Sequence, residues 1–225
     1  MSEAEWLEYR GIAQWKFHIL RTRKVARTKA GRRRLRLFAC GCCRLIWDHL
    51  PDNQLRDAVL VAERFAEGQA TKDELGAAYD RVARMRDDAV HPRETPLGVR
   101  VAIDMAVETA HVQALEAAFS MTTTSLPLAG YCGGEKAGEA ALCDLLRCIF
   151  GNLIHPVAFD PAWRTTTVKQ LALGIYDERA FDRMPILADA LEDAGCTDPV
   201  ILDHCRGPGP HVRGCWVLDL LLGKK

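Results

Sequence analysis

The stretch "RRRLRLFACGCCRLIWDHLP", Arg32–Pro51, decides the fold class. Leu35, Phe38, Cys42, Leu45, Ile46 and His49 recur at intervals of three and four, which puts them on one side of a helix that Pro51 ends. A half-buried strand would alternate apolar and polar residues, and this stretch does not. The same periodicity extends in both directions. Asn53–Gly68 repeats it with Leu55, Val59, Ala62 and Phe65, and Gly68 suits the position just past a helix. Thr71 opens a further helix to about Val90, and Leu97 to about Phe119 reads as one long Ala-rich helix. Near the start, Ser2 and Glu5 form a capping box for a short first helix.

Past the Thr-, Gly- and Pro-rich "MTTTSLPLAGYCGGEKAG" comes a helix through "EAALCDLLRCIF", stopped at Gly151-Asn152. "LIHPVAFDPAW" reads as an extended connector, because each proline restricts the residue before it. Short helices follow at about Thr167–Tyr176, Pro185–Ala194, Pro199–Cys205 and His211–Leu222. The prediction is an all-α helical bundle with a short-helix, solenoid-like C-terminal part. Its N-terminal half is 1–120 with a basic segment at 21–36, its loop 121–138 and its C-terminal half 139–225, folded as one compact unit. Phe38, Cys42, Ile46, Leu145, Leu187, Leu191, Trp216 and Leu220 are the expected core.

Of the 225 residues, 48% are hydrophobic and 27% charged, which fits a globular chain able to bury its own core. The acidic, amphipathic N-terminus is no export signal, and the apolar run near the end is too short to span a bilayer. A cytoplasmic protein with no membrane partner is expected, its nine cysteines reduced and mostly core filler. The formal net charge of zero hides an asymmetry. Residues 1–50 hold 12 Lys/Arg against 4 Asp/Glu, and the remainder 18 against 26. Arg21, Arg23, Lys24, Arg27, Lys29, Arg32, Arg33, Arg34 and Arg36 crowd one segment without an acidic residue, so they are candidate polyanion ligands. The alternative is an arm folded back on the acidic body.

Two groups of residues could carry site chemistry. In "HCRGPGPHVRGCW", Cys205, His211 and Cys215 are spaced C-x5-H-x3-C and His204 offers a fourth zinc ligand. That spacing matches no standard finger, and the expected role is a rigid connector in which His211 and Arg213 bond backbone carbonyls or acidic neighbours. Cys40 has Arg36 and Arg44 four residues either side, which makes it the candidate reactive thiol, although Trp47 on the same face argues that it is covered. Glu108 with His111, and Asp87 with His91, read as helix-surface pairs. No phosphate loop, dinucleotide fingerprint, nucleophile elbow or H-E-x-x-H motif is present.

"LRLFACGCCRLIW", "FGNLIHPVAFDPAW", "IYDERAFDRMPILADALEDAGC" and "HCRGPGPHVRGCWVLDLLLG" resemble signature blocks of uncharacterised proteins that occur as many paralogues in planctomycete-type bacteria. The resemblance covers residues 35–47 and 150–223 and implies bacterial kinship but no reaction. Three classes therefore stand as expectations. The first is a non-enzymatic helical interaction module with a protein partner and no cofactor. The second is a nucleic-acid binder using the basic segment, and the third a zinc-binding or thiol-dependent protein using the Cys/His residues.

Overall fold

A computed structural model describes residues 3–8, 18, 20–88, 96–123, 131 and 133–224. Eleven α-helices and no strand are found among the described residues. They are α1 (Glu3–Glu8), α2 (Lys29–Leu45), α3 (Asn53–Ala66), α4 (Lys72–Asp88), α5 (Leu97–Ala110), α6 (Ala114–Thr123), α7 (Glu135–Phe150), α8 (Thr166–Glu178), α9 (Met184–Asp193), α10 (Pro199–Arg206) and α11 (Trp216–Leu222). None is long and apolar enough to cross a membrane. Ser2, Val90 and His91 lie outside the described residues, and with them the capping box and the Asp87–His91 pair.

The chain forms two units, Arg10–Cys143 and Met1–Tyr9 with Asp144–Lys225, rather than the single unit expected. The boundary falls inside α7 instead of in the loop 121–138. The first residues belong with the C-terminal half for a chemical reason. The Trp6 indole donates to Gly151 O at 2.8 Å, and the Arg147 guanidinium donates to Trp6 O.

In the Arg10–Cys143 unit α2 is the central helix, packed by α3, α5 and α6. Leu35, Leu37, Phe38, Ala39, Cys40, Cys42 and Cys43 are all buried, so α2 is enclosed around most of its circumference. It starts earlier than the sequence predicts, because Thr28 caps it by accepting from Gly31 N at 2.9 Å. Gly31 continues the helix, and a Cβ there would lie 1.9 Å from Val25 O. The helix ends at Leu45, before Pro51, and a 3₁₀ turn at Trp47–His49 leaves His49 exposed instead of on the helix's apolar side.

The predicted helix Leu97–Phe119 is two helices. Arg36, buried at 2% exposure, donates from Nη1 to Thr109 O (3.0 Å) and His111 O (2.7 Å) and from Nη2 to Val112 O (2.8 Å). These are carbonyls that a continuing helix would bond to its own amides. The guanidinium takes them instead, and α5 ends at Ala110.

In the other unit the helices are short and well capped. Thr165 starts α8, accepting from Val168 N, and Asp198 starts α10, accepting from Val200 N and Ile201 N. Pro185 and Pro199 occupy first-turn positions. α8 packs on α9, α9 on α10 and α10 on α11, and α11 also returns against α8. Of the expected core, only Leu220 is half-buried; the other seven residues are buried.

Candidate metal centre and basic face

Three elements of the C-terminal unit and the end of α7 bring Cys148, His204, His211 and Cys215 together, with their four potential ligand atoms all within 4.8 Å of one another. Cys148 lies in the last turn of α7, His204 in the last turn of α10, His211 in the Gly-Pro loop and Cys215 at the N-cap of α11. Each position has a local cause. Gly151 turns the chain just past α7 with φ 62°, and its bare Cα lets Trp216 approach, where a Cβ would be 3.1 Å from the ring. Gly209 (φ 81°) does the same for His211, whose amide nitrogen would be 2.8 Å from a Cβ.

The distances suit a tetrahedral ion. Zinc bonds of ~2.3 Å to sulfur and ~2.0 Å to nitrogen imply ligand–ligand edges of roughly 3.3–3.8 Å. His204 Nε2 lies 3.2 Å from Cys215 Sγ, and His211 Nδ1 3.9 Å from Cys148 Sγ. His211 Nε2 is 3.3 Å from Gly207 O. A proton on Nε2 makes that bond and leaves the Nδ1 lone pair aimed into the cluster, the orientation that metal-bound histidines adopt through their other ring nitrogen. The His204 ring stands edge-on to that of His211 at 5.0 Å and against Trp216 at 5.3 Å, which fixes its plane.

Charge in the cluster is unevenly shared. Burial alone would raise the Cys215 thiol, but hydrogen bonds with Cys148, His204 and His211 hold it well below its usual value. Cys148 is pushed well above by its hydrogen bond to Cys215 and by burial. Burial acts to lower His211, but the hydrogen bond to Cys215, the charge of Cys215 and the bond to Gly207 O together outweigh it, so His211 is raised. Four such donors, deprotonated where the ion requires, form a Cys2His2 set.

Sequence spacing had grouped His204, His211 and Cys215 with Cys205. The structure brings the first three together with Cys148, and Cys205 is not in the cluster. Neighbouring helical residues point about 100° apart, so with His204 facing the cluster Cys205 turns into the core, where burial pushes its thiol up. Cys148 escaped notice because it sits on an apolar helical face and reads as filler. Arg213 bonds Tyr176 O and Asp177 O, backbone carbonyls as expected.

The remaining candidates separate. Cys40 is buried, and desolvation together with nearby Glu63 pushes its thiol well above the usual value despite Arg36 and Arg44, so it does not present a thiolate. Of the nine cations in the basic segment, Arg33 is paired with Glu67 at 2.9 Å, both nearly buried, and Arg36 is spent on carbonyls. Arg34 is half-buried and engaged. Arg21, Arg23, Lys24, Arg27, Lys29 and Arg32 remain exposed. Outside that set, Arg44 grips Glu63 with two bonds of 2.9 Å and covers the Trp47 ring at 3.7 Å. His111 ends α5 beside Tyr79.

The fold and site define an all-α protein with a half-buried cluster of two cysteines and two histidines in one unit and a basic face in the other. No family model, curated protein or solved structure matches the chain.

Proposed function

We propose that this chain is a non-enzymatic helical binding module whose C-terminal unit is closed around one tetrahedral metal ion, with zinc the best fit. The convergence of four nitrogen and sulfur donors within 4.8 Å carries this reading. Two thiolates and two imidazoles suit zinc among the first-row metals. Four protein ligands leave no open position for water or substrate, which favours a structural over a catalytic ion. The ion would tie the end of α7, the end of α10, the Gly-Pro loop and the start of α11 at one point, in a unit whose C-terminal helices are 7 to 13 residues long. A thiol-dependent enzyme would draw on the lowered Cys215 thiol, but that sulfur is fully buried and no electrophile reaches it.

Elemental analysis of the purified full chain tests the proposal. One zinc per chain is expected, lost in Cys148→Ser and His211→Ala and kept in Cys205→Ser. Chelation should lower the melting temperature of the parent and leave Cys148→Ser unchanged. A metal-free parent, or full zinc retention in Cys148→Ser, would overturn the reading.

A further inference from the structure

We infer that the exposed cations of residues 21–32 form a docking face for the phosphate backbone of duplex nucleic acid, independently of the metal centre. Arg21, Arg23, Lys24, Arg27, Lys29 and Arg32 are all exposed within twelve residues. Among the described residues none of the six is paired with a carboxylate, and the first turn of α2 contains no acidic residue. The basic segment is divided in two. Its inward cations, Arg33 and Arg36, are compensated by Glu67 and by three carbonyls, and they anchor α2. Its outward cations are exposed to solvent.

The outward set sits on an ordered platform. Arg32 Nη1 donates to Ala26 O and Arg27 O, Thr28 caps α2, and Gly31 lies against Val25 O. Cations held in fixed positions repel one another, and a polyanion relieves that repulsion while releasing its condensed counterions. Nucleic acid fits better than a lipid surface because the exposed large apolar side chains, among them Leu97, Val112 and Phe119, lie outside this segment, so nothing in it would enter a bilayer. Duplex fits better than single strand because no aromatic residue lies between Arg21 and Leu37 on which a base could stack. Contact to phosphates alone implies little sequence preference. The chain's formal net charge is zero, so attraction must come from this face and not from the whole molecule.

Fluorescence anisotropy with a labelled duplex of about 20 base pairs tests this, using the full chain at several salt concentrations. If six cations meet phosphates, the log–log salt slope is about −5, and affinity falls roughly a thousandfold between 50 and 200 mM salt. Arg23→Ala/Arg27→Ala/Lys29→Ala removes three exposed cations whose side chains hold no other group among the described residues, so it should weaken binding at least about tenfold and bring the slope to about −3. A control of equal charge, Lys72→Ala/Lys136→Ala/Lys169→Ala, should stay within about twofold. If the Ala variant melts early, the Gln version of the same three positions decides. No saturable binding at 50 mM salt, equal loss in the control, or retention on anionic vesicles but not on duplex would overturn the inference.

Discussion

Replacing Arg36 should be among the most damaging single changes in the Arg10–Cys143 unit, and its cost can be worked from the bonds it makes. The guanidinium is 2% exposed, lies 5.3 Å from the Phe65 ring, and donates to the carbonyls of Thr109, His111 and Val112. Burial lowers its pKa, and among the described residues no carboxylate pairs with it. The negative end of the α5 dipole and three carbonyl oxygens supply the compensation that an acid usually would. Hydrogen bonds to a charged group contribute about 1.5–3 kcal/mol each, so the gross sum far exceeds the net, because desolvating the cation costs several kcal/mol. Arg36→Ala removes the cation and its cost together, leaves the buried Thr109 carbonyl unpaired, and opens a cavity beside Phe65. The expected loss is about 3–5 kcal/mol. Arg36→Met fills most of that volume and should lose about 1–2 kcal/mol less than Ala. Arg36→Lys presents one ammonium to three carbonyls spread over four residues and should fall between the two. Urea titration followed by far-UV circular dichroism measures all three. A loss below about 1 kcal/mol in Arg36→Ala, or Met costing more than Ala, would refute the reasoning.

Two further outcomes follow from burial and backbone geometry. Burial pushes Cys40 and Cys42 well above the ordinary thiol value of 9.0 and Cys43 up to about 12, so the native state keeps protons that the unfolded chain releases. Stability should be full below about pH 9 and decline from there to about pH 12, by ~1.4 kcal/mol per pH unit for each thiol. Urea midpoints at about pH 8 and 10 measure the decline, and an equally steep one in Cys42→Ala/Cys43→Ala would contradict it. Gly31→Ala should destabilise α2 despite alanine's better helix propensity, because its Cβ meets Val25 O at 1.9 Å and backbone must move; a variant that melts at or above the parent temperature would show the close approach to be absent.

The reading of Arg32–Pro51 as a helix, and of the whole chain as all-α, rested on a period that short-range sterics impose, and such information is local. The break in α5–α6 could not be read that way. The residues from Leu97 to Phe119 favour a helix throughout, and what ends the first segment is a side chain 73 residues away from Thr109. Arg36 looked like one more cation in a basic run because a sequence does not show which cations are enclosed. The same limit divided the cluster of soft ligands. His204, His211 and Cys215 fall within twelve residues and could be grouped by spacing, whereas Cys148 lies 63 residues before His211. Adjacency on α10 did carry one constraint: His204 and Cys205 cannot both face the same ion. Choosing His204 therefore required a ligand from elsewhere, and most of the remaining cysteines lie in apolar helical patterns where sulfur passes for a methyl group. What separates Cys148 from them is tertiary, since Gly151 ends its helix against Trp216, and Trp216 opens the helix that Cys215 caps. A ligand set assembled in this way is fixed by the packing of two helix ends, and spacing alone recovers only the part of it that one loop contains.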